Sequence, residues 1–182
     1  MLTHNKIRCI IKMITLLKEN NKMEFETDRS KTCTFIGHRT IEKTDALAEK
    51  VTSEIRRLIT EEGYDTFLLG SKSLFNDLCM DILSELKKEY PHIRRIYVRA
   101  EYPVIKDDYK EFLMTFCDET CYPETLVGAG RAVYVKRNRI MLDMSSVCIG
   151  YYRKEDQPKN RKSGTKLALE YAQKCGVNVI SV

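Results

Sequence analysis

Short continuous apolar runs alternate along this chain with longer stretches whose apolar residues recur at helical spacing. Thr32 to Ile36 (TCTFI) reads as a buried strand that ends in a Gly37-His38-Arg39 turn. A helix is predicted from Thr44 to Glu62, with Leu47, Val51, Ile55, Leu58 and Ile59 on one face and Gly63 to stop it. Thr66 to Leu69 predicts a second strand, Gly70-Ser71-Lys72-Ser73 a turn, and Phe75, Leu78, Cys79, Ile82, Leu83 and Leu86 the stripe of a second helix closed by Pro91. Ile93 to Val98 is the third strand. Residues 101–130 are aromatic, acidic and interrupted by Pro103 and Pro123, which predicts an irregular insertion or lid on the core. Beyond it come a helix within Ala132 to Met144, a strand at Ser146 to Tyr151, a loop to Lys162, a helix from Gly164 to Cys175 and a final strand from Val177 to Val182.

Strands separated by helices favour parallel pairing with right-handed crossovers, so helices should cover both faces of one sheet. In such sheets ligands bind beyond the carboxyl ends of the strands. The length, 182 residues, suits one domain over residues 31–182, preceded by an extension over 1–30. With 43% hydrophobic and 31% charged residues, eight Gly and four Pro, the composition excludes collagenous and mostly disordered classes. The cysteines number seven, an odd count without a CxxC pair, which points to reduced, buried thiols rather than a disulfide scaffold. Without a run of about 20 apolar residues no membrane span is expected, and the cytosol is the expected compartment.

The formal charge of +5 is unevenly placed: residues 1–22 hold five basic side chains and one acidic, leaving +1 for the rest. Lys18-Glu19 can be encoded by a ribosome-binding sequence just ahead of the Met23 codon, so Met23 is the expected natural start; the alternative is an amphipathic N-terminal helix.

Three polar turns follow strands: Gly37-His38-Arg39, Gly70-Ser71-Lys72-Ser73, and the loop into Ser163-Gly164-Thr165. In a parallel sheet they share one edge. Glycine permits close backbone approach, and a helix start offers unpaired N–H groups to an anion, so the set suggests a phosphate or ribose-phosphate site. Arg39, Lys72, Arg137 and Arg161 lie close enough in sequence to neutralise such a ligand. Each turn is equally explained as strand-to-helix punctuation with Ser73, Ser163 or Thr165 as caps. Neither GxGxxG nor the P-loop pattern occurs.

CTFIGHR (33–39), LLGSKSLFNDLC (68–79), RNRIMLDMS (137–145) and SGTKLALEYA (163–172) together resemble the YpsA-like branch of the SLOG superfamily, named for DNA-processing proteins related to Smf/DprA and for the LOG cytokinin-activating enzymes. The resemblance implies a Rossmann-like, three-layer α/β/α fold with a mostly parallel sheet and a nucleotide-type pocket. It carries over Gly37, His38, Arg39, Gly70, Arg137, Asn138, Met141, Asp143, Gly164 and Thr165 as motif positions. The chain departs from the family at Leu74 and Asn76, where many relatives have Gly and Asp, and at Ala168, where LOG enzymes have Glu. Cleaving an N-glycosidic bond calls for a carboxylate, so LOG-like hydrolysis is disfavoured.

Asp143 is the remaining carboxylate candidate for catalysis, or else a brace of the adjacent loop. His38 is either an acid or base, or a hydrogen-bonded turn histidine. Tyr151 or Tyr152, after a strand, stacks on a base or packs in the core. Cys117 and Cys121 have metal-compatible spacing but no second pair, and no metal or cofactor beyond a nucleotide-type ligand is expected. The leading function is binding or sensing of a nucleotide-derived small molecule, reported to a protein partner, with a homodimer expected from the family. The alternatives are an enzyme acting on nucleotides or nucleoside phosphates, and a single-stranded DNA module. Residues 131–162 hold nine basic groups against three acidic, although nucleic acid is the weaker reading.

Overall fold

The structure, a computed structural model, describes residues 27–70, 72–156 and 163–182. The expectations for Met23 and residues 1–22, for Ser71 and for Arg161 lie outside the described residues. Six strands form one sheet: β1 (Thr32–Gly37), β2 (Thr66–Gly70), β3 (Arg94–Val98), β4 (Glu119–Cys121), β5 (Val147–Tyr151) and β6 (Asn178–Ser181). Their order is β4-β3-β2-β1-β5-β6 and every pairing is parallel, so the mostly parallel sheet expected is parallel throughout. The chain runs outward from β1 to β4 and then returns to the other side of β1, which puts a topological switch between β1 and β5.

Five helices connect the strands: α1 (Asp45–Thr60), α2 (Leu74–Glu89), α3 (Asp107–Met114), α4 (Val133–Asp143) and α5 (Gly164–Lys174). Alternation along the strands sorts the helices into two layers. Phe35, Phe67, Leu69 and Ile149 face the layer built by α1, α2 and α3. Ile36, Leu68, Ile96 and Cys148 face α4 and α5. The result is the three-layer, Rossmann-like α/β/α fold. The stripe of α1 is wholly spent on this core: Val51, Ile55 and Leu58 are fully buried, which contributes on the order of 1.5–3 kcal/mol for each side chain.

Residues 101–130 are more regular than the sequence suggests. They contain α3 and the edge strand β4, followed by a 3-10 turn at Glu124–Leu126. Pro103 precedes α3 and Pro123 follows β4, so each proline bounds an element rather than breaking one. Helix α3 buries only Leu113 and leaves Tyr109, Phe112 and Met114 exposed, which is why no apolar stripe announces it.

Candidate functional site

The carboxyl ends of β1, β2 and β5 bring together most of the residues picked from the sequence. Gly37 ends β1 under the ring of Phe75: a Cβ there would lie 2.2 Å from Phe75 Cδ1 and 2.6 Å from its Cβ. The absent side chain is what lets the first residues of α2 pack on β1. His38 follows, only 6% exposed, its ring stacked on Tyr152 (5.3 Å, 30°) and edge-on to Tyr151 (6.2 Å). Its Nε2 lies 3.0 Å from the N–H and 3.1 Å from the carbonyl of Arg153, so either tautomer ties it to that backbone. This is the hydrogen-bonded turn histidine, fastening the segment after β5 onto β1. Arg39 is exposed, and its carbonyl accepts the N–H of Leu74 at 2.9 Å.

The hydroxyls of Ser73, Ser163 and Thr165 are committed to the fold. Ser73 Oγ caps α2 by accepting from Asn76 N (3.4 Å) and donates to the His38 carbonyl (3.0 Å). Ser163 Oγ caps α5 through Lys166 N (3.3 Å), and Thr165 Oγ1 donates to the Gly37 carbonyl at 3.1 Å. The capping reading of Ser73 and Ser163 therefore holds, and Thr165 locks α5 across the β1–β5 switch. Among the described residues, these turns leave a ligand the backbone N–H groups of the helix starts, the exposed Arg39 and Lys72 side chains, and open space. A Cβ on Gly164, the first residue of α5, would meet nothing within 4 Å.

Arg137 comes to the same edge from the opposite layer. It is 5% exposed, donates from Nη1 to the Val98 carbonyl (3.1 Å) and from Nε to Asn138 Oδ1 (2.9 Å), and lies over the Tyr134 ring at 5.9 Å. Burial pushes its guanidinium down to about 10, which leaves it charged at neutral pH. Gly70 makes the room, since a Cβ there would be 2.0 Å from Arg137 Nη1. Gly70 N in turn donates to Asn76 Oδ1 (2.9 Å), and Asn76 Nδ2 reaches the Phe35 carbonyl (3.5 Å). Asn76 thus joins the ends of β1 and β2.

Two candidates fall elsewhere. Asp143 is the last residue of α4, four residues before β5 begins, and is exposed at the amino-terminal edge of the sheet. Tyr171 donates to its Oδ1 at 2.8 Å. Helix α4 runs antiparallel to the strands, so with Arg137 at the carboxyl edge Asp143 must point away from it. The carboxylate role expected for Asp143 is corrected to a surface contact between α4 and α5. The ring of Tyr151, 7% exposed, stacks on Phe75 (5.5 Å, 19°) inside the core and is not presented to a ligand.

Sequence reading missed Glu101, Tyr134 and Arg99. Glu101 forms an ion pair with Lys72, and Tyr134 donates to the same carboxylate oxygen. Burial works to raise the Glu101 carboxyl, but the bonds from Lys72 and Tyr134 outweigh it and hold it below its ordinary value. Only the placement of Glu101 in an apparently irregular stretch hid it, while Tyr134 stands three residues before Arg137 on one helix face. Cys117 and Cys121 lie in cores on opposite faces of the sheet, and among the described residues no three His, Cys, Asp or Glu side chains cluster as metal ligands. Among the described residues no helix is long and apolar enough to cross a membrane. No protein-family model and no curated protein matches this chain.

Proposed function

We propose that this chain is a SLOG-type module of the YpsA-like branch, which binds a nucleotide or nucleotide-derived small molecule at the carboxyl edge of β1, β2 and β5. The observation that carries the reading is the buried Arg137 beside Gly70. A cation kept out of water is costly unless its neighbours compensate it, and such groups concentrate where a protein recognises charge. Here it places positive potential beneath the end of β2, at the sheet edge that also carries the loops after β1 and β2 and the N-termini of α2 and α5. Two cationic side chains, Arg39 and Lys72, stand exposed on those loops.

Binding rather than turnover is the favoured activity. Asp143 is remote from Arg137, His38 is tied to the Arg153 backbone, and Ala168, at the position of the LOG glutamate, is buried in α5. On this reading the protein works in the cytosol, as a homodimer, and passes ligand occupancy to a protein partner through the loops after β1 and β2.

The test is native mass spectrometry of the freshly purified full chain, acid release and mass identification of any bound molecule, and titration with AMP, ADP and NAD. Arg39→Ala, at an exposed side chain, is the control. A nucleotide-type mass that the variant retains less well supports the reading. An empty wild-type protein with no binding up to about 1 mM overturns it.

A further inference from the structure

Glu101 and Lys72 form the ion pair that bridges the loop after β2 to the loop after β3, beside Arg137. Every hydrogen bond that a described residue gives Glu101 ends on Oε1, from Lys72 Nζ and the Tyr134 hydroxyl, so Oε2 accepts none of them. The carboxylate side chain is 30% exposed and the ammonium 53%, so both reach solvent at the mouth of the site. Lys72 also lies over the Tyr134 ring at 5.6 Å, the ring that Arg137 approaches at 5.9 Å.

Two further observations converge on this carboxylate. Among the described residues only Lys72 (φ 58°) and Tyr102 (φ 54°) adopt the left-handed backbone region without being glycine. One is the partner of Glu101 and the other follows it in sequence. Strain of this kind persists where the surroundings enforce it, and it gathers at binding sites. Beside them, Glu101, Tyr102 and Arg99 line a small pocket of about 10 Å³, room for roughly one water. Arg99 Nε is buried there without a hydrogen-bond partner among the described residues, an uncommon state for a guanidinium donor.

We propose that Glu101 is the hydroxyl-binding carboxylate of this site and Lys72 its phosphate-binding cation, so that the ligand is a ribosyl phosphate. In the free protein the Glu101 carboxylate occupies the cation that the ligand's phosphate takes on binding. When phosphate pairs with Lys72, Oε1 of Glu101 loses the ammonium and keeps only the Tyr134 hydroxyl, so its remaining lone pair and Oε2 accept from the vicinal hydroxyls of the ribose. A ligand with only one of these groups leaves either the ammonium or the carboxylate without its new partner. The proposal rests on the nucleotide-binding reading above and assigns its specificity to two residues.

The experiment is calorimetric titration of the full chain with AMP, 2′,3′-dideoxy-AMP and ribose 5-phosphate, with each variant's melting temperature as the check on folding. Wild type is expected to prefer AMP over the dideoxy analogue by about tenfold or more, as a charged hydrogen-bond acceptor dictates. Glu101→Gln should bring that ratio to about one while strengthening dideoxy-AMP binding, because Lys72 loses its internal competitor. Lys72→Ala should weaken all three ligands. A preference that survives Glu101→Gln, or a wild type that binds both nucleotides equally, overturns the proposal and leaves nucleotide binding intact. If ribose 5-phosphate alone binds, with the Glu101 signature, the nucleotide reading fails and this one stands; if nothing binds, both are overturned.

Discussion

Arg137 fills the space that a side chain at position 70 would need: a Cβ on Gly70 would sit 2.0 Å from its Nη1. The guanidinium cannot step aside cheaply, because it is buried and bonded to the Val98 carbonyl and Asn138. Gly70→Ala is therefore expected to destabilise the fold by about 1–3 kcal/mol, as overpacking does. Gly37→Ala should cost more, since the obstacle is the anchored Cβ and ring of Phe75 rather than the end of a long side chain. Urea denaturation of both variants checks the order; an equal or reversed order would show that Phe75 and α2 yield more readily than Arg137.

The parts of this fold that could be read in advance are those whose side chains carry a period. The α1 and α2 stripes place long apolar faces on the core, and β1, β2 and β5 are buried on both sides, so each is announced by a continuous apolar run. Helix α3 and strand β4 bury one side chain each, and nothing in their sequences separates them from loop. Arg137 was legible as a motif position, but not as a buried charge, because composition ranks arginine among surface residues. Asp143 was misplaced for a geometric reason. Six residues of helix span about 9 Å, so Arg137 and Asp143 cannot both stand at the edge that Arg137 occupies.

Gly164 separates folding from binding. Its Cβ would enter open space and its φ is not left-handed, so Gly164→Ala should stabilise the chain by about 0.4–1 kcal/mol through the unfolded state. The same methyl group would stand where an anion approaches the first N–H groups of α5, so affinity for AMP should fall. Denaturation and titration of one protein sample should move in opposite directions. Unchanged affinity would remove the start of α5 from the ligand's contacts.

Acid lability should trace to Asp118. It accepts from Arg95 Nε (3.0 Å) and Nη2 (3.1 Å), from the Arg95 N–H (2.8 Å), and pairs with Lys87 at 3.0 Å. Burial works to raise its carboxyl, but these bonds overcome it and the group stays below its ordinary value. A carboxyl depressed in the folded state contributes stability that is present above its unfolded value, near 3.8, and is lost as pH falls through the folded one. Melting temperature should therefore drop on acidification below about pH 4 more steeply in wild type than in Asp118→Asn. At neutral pH Asp118→Ala should cost on the order of 2–3 kcal/mol, less than a fully buried pair because the carboxylate is partly exposed.

Thiol reactivity should follow burial. Desolvation raises the thiols of Cys33 and Cys79 and pushes those of Cys117, Cys121 and Cys148 up to about 11, 12 and 12. They are protonated and enclosed at pH 8, whereas Cys175, just after α5, is exposed. Of these six cysteines, iodoacetamide should modify Cys175 alone in the native protein and the other five only on unfolding in guanidinium. Native labelling of Cys121, at the end of β4, would instead reveal opening of that sheet edge.

Asp143→Asn tests where the site lies. The side chain is exposed and its contact is the Tyr171 hydroxyl, beside an Arg139 guanidinium 5.0 Å from the same ring. Asparagine keeps an oxygen to accept that bond, and a lone surface contact contributes little, so stability should stay within about 0.5 kcal/mol of wild type. Ligand affinity should be unchanged, because the helix that carries Arg137 to the carboxyl edge carries Asp143 the other way. Titration of AMP into Asp143→Asn beside Lys72→Ala gives the contrast directly. Loss of binding in the first and its retention in the second would move the site to the amino-terminal edge, against everything the strand order, Gly70 and Arg137 imply.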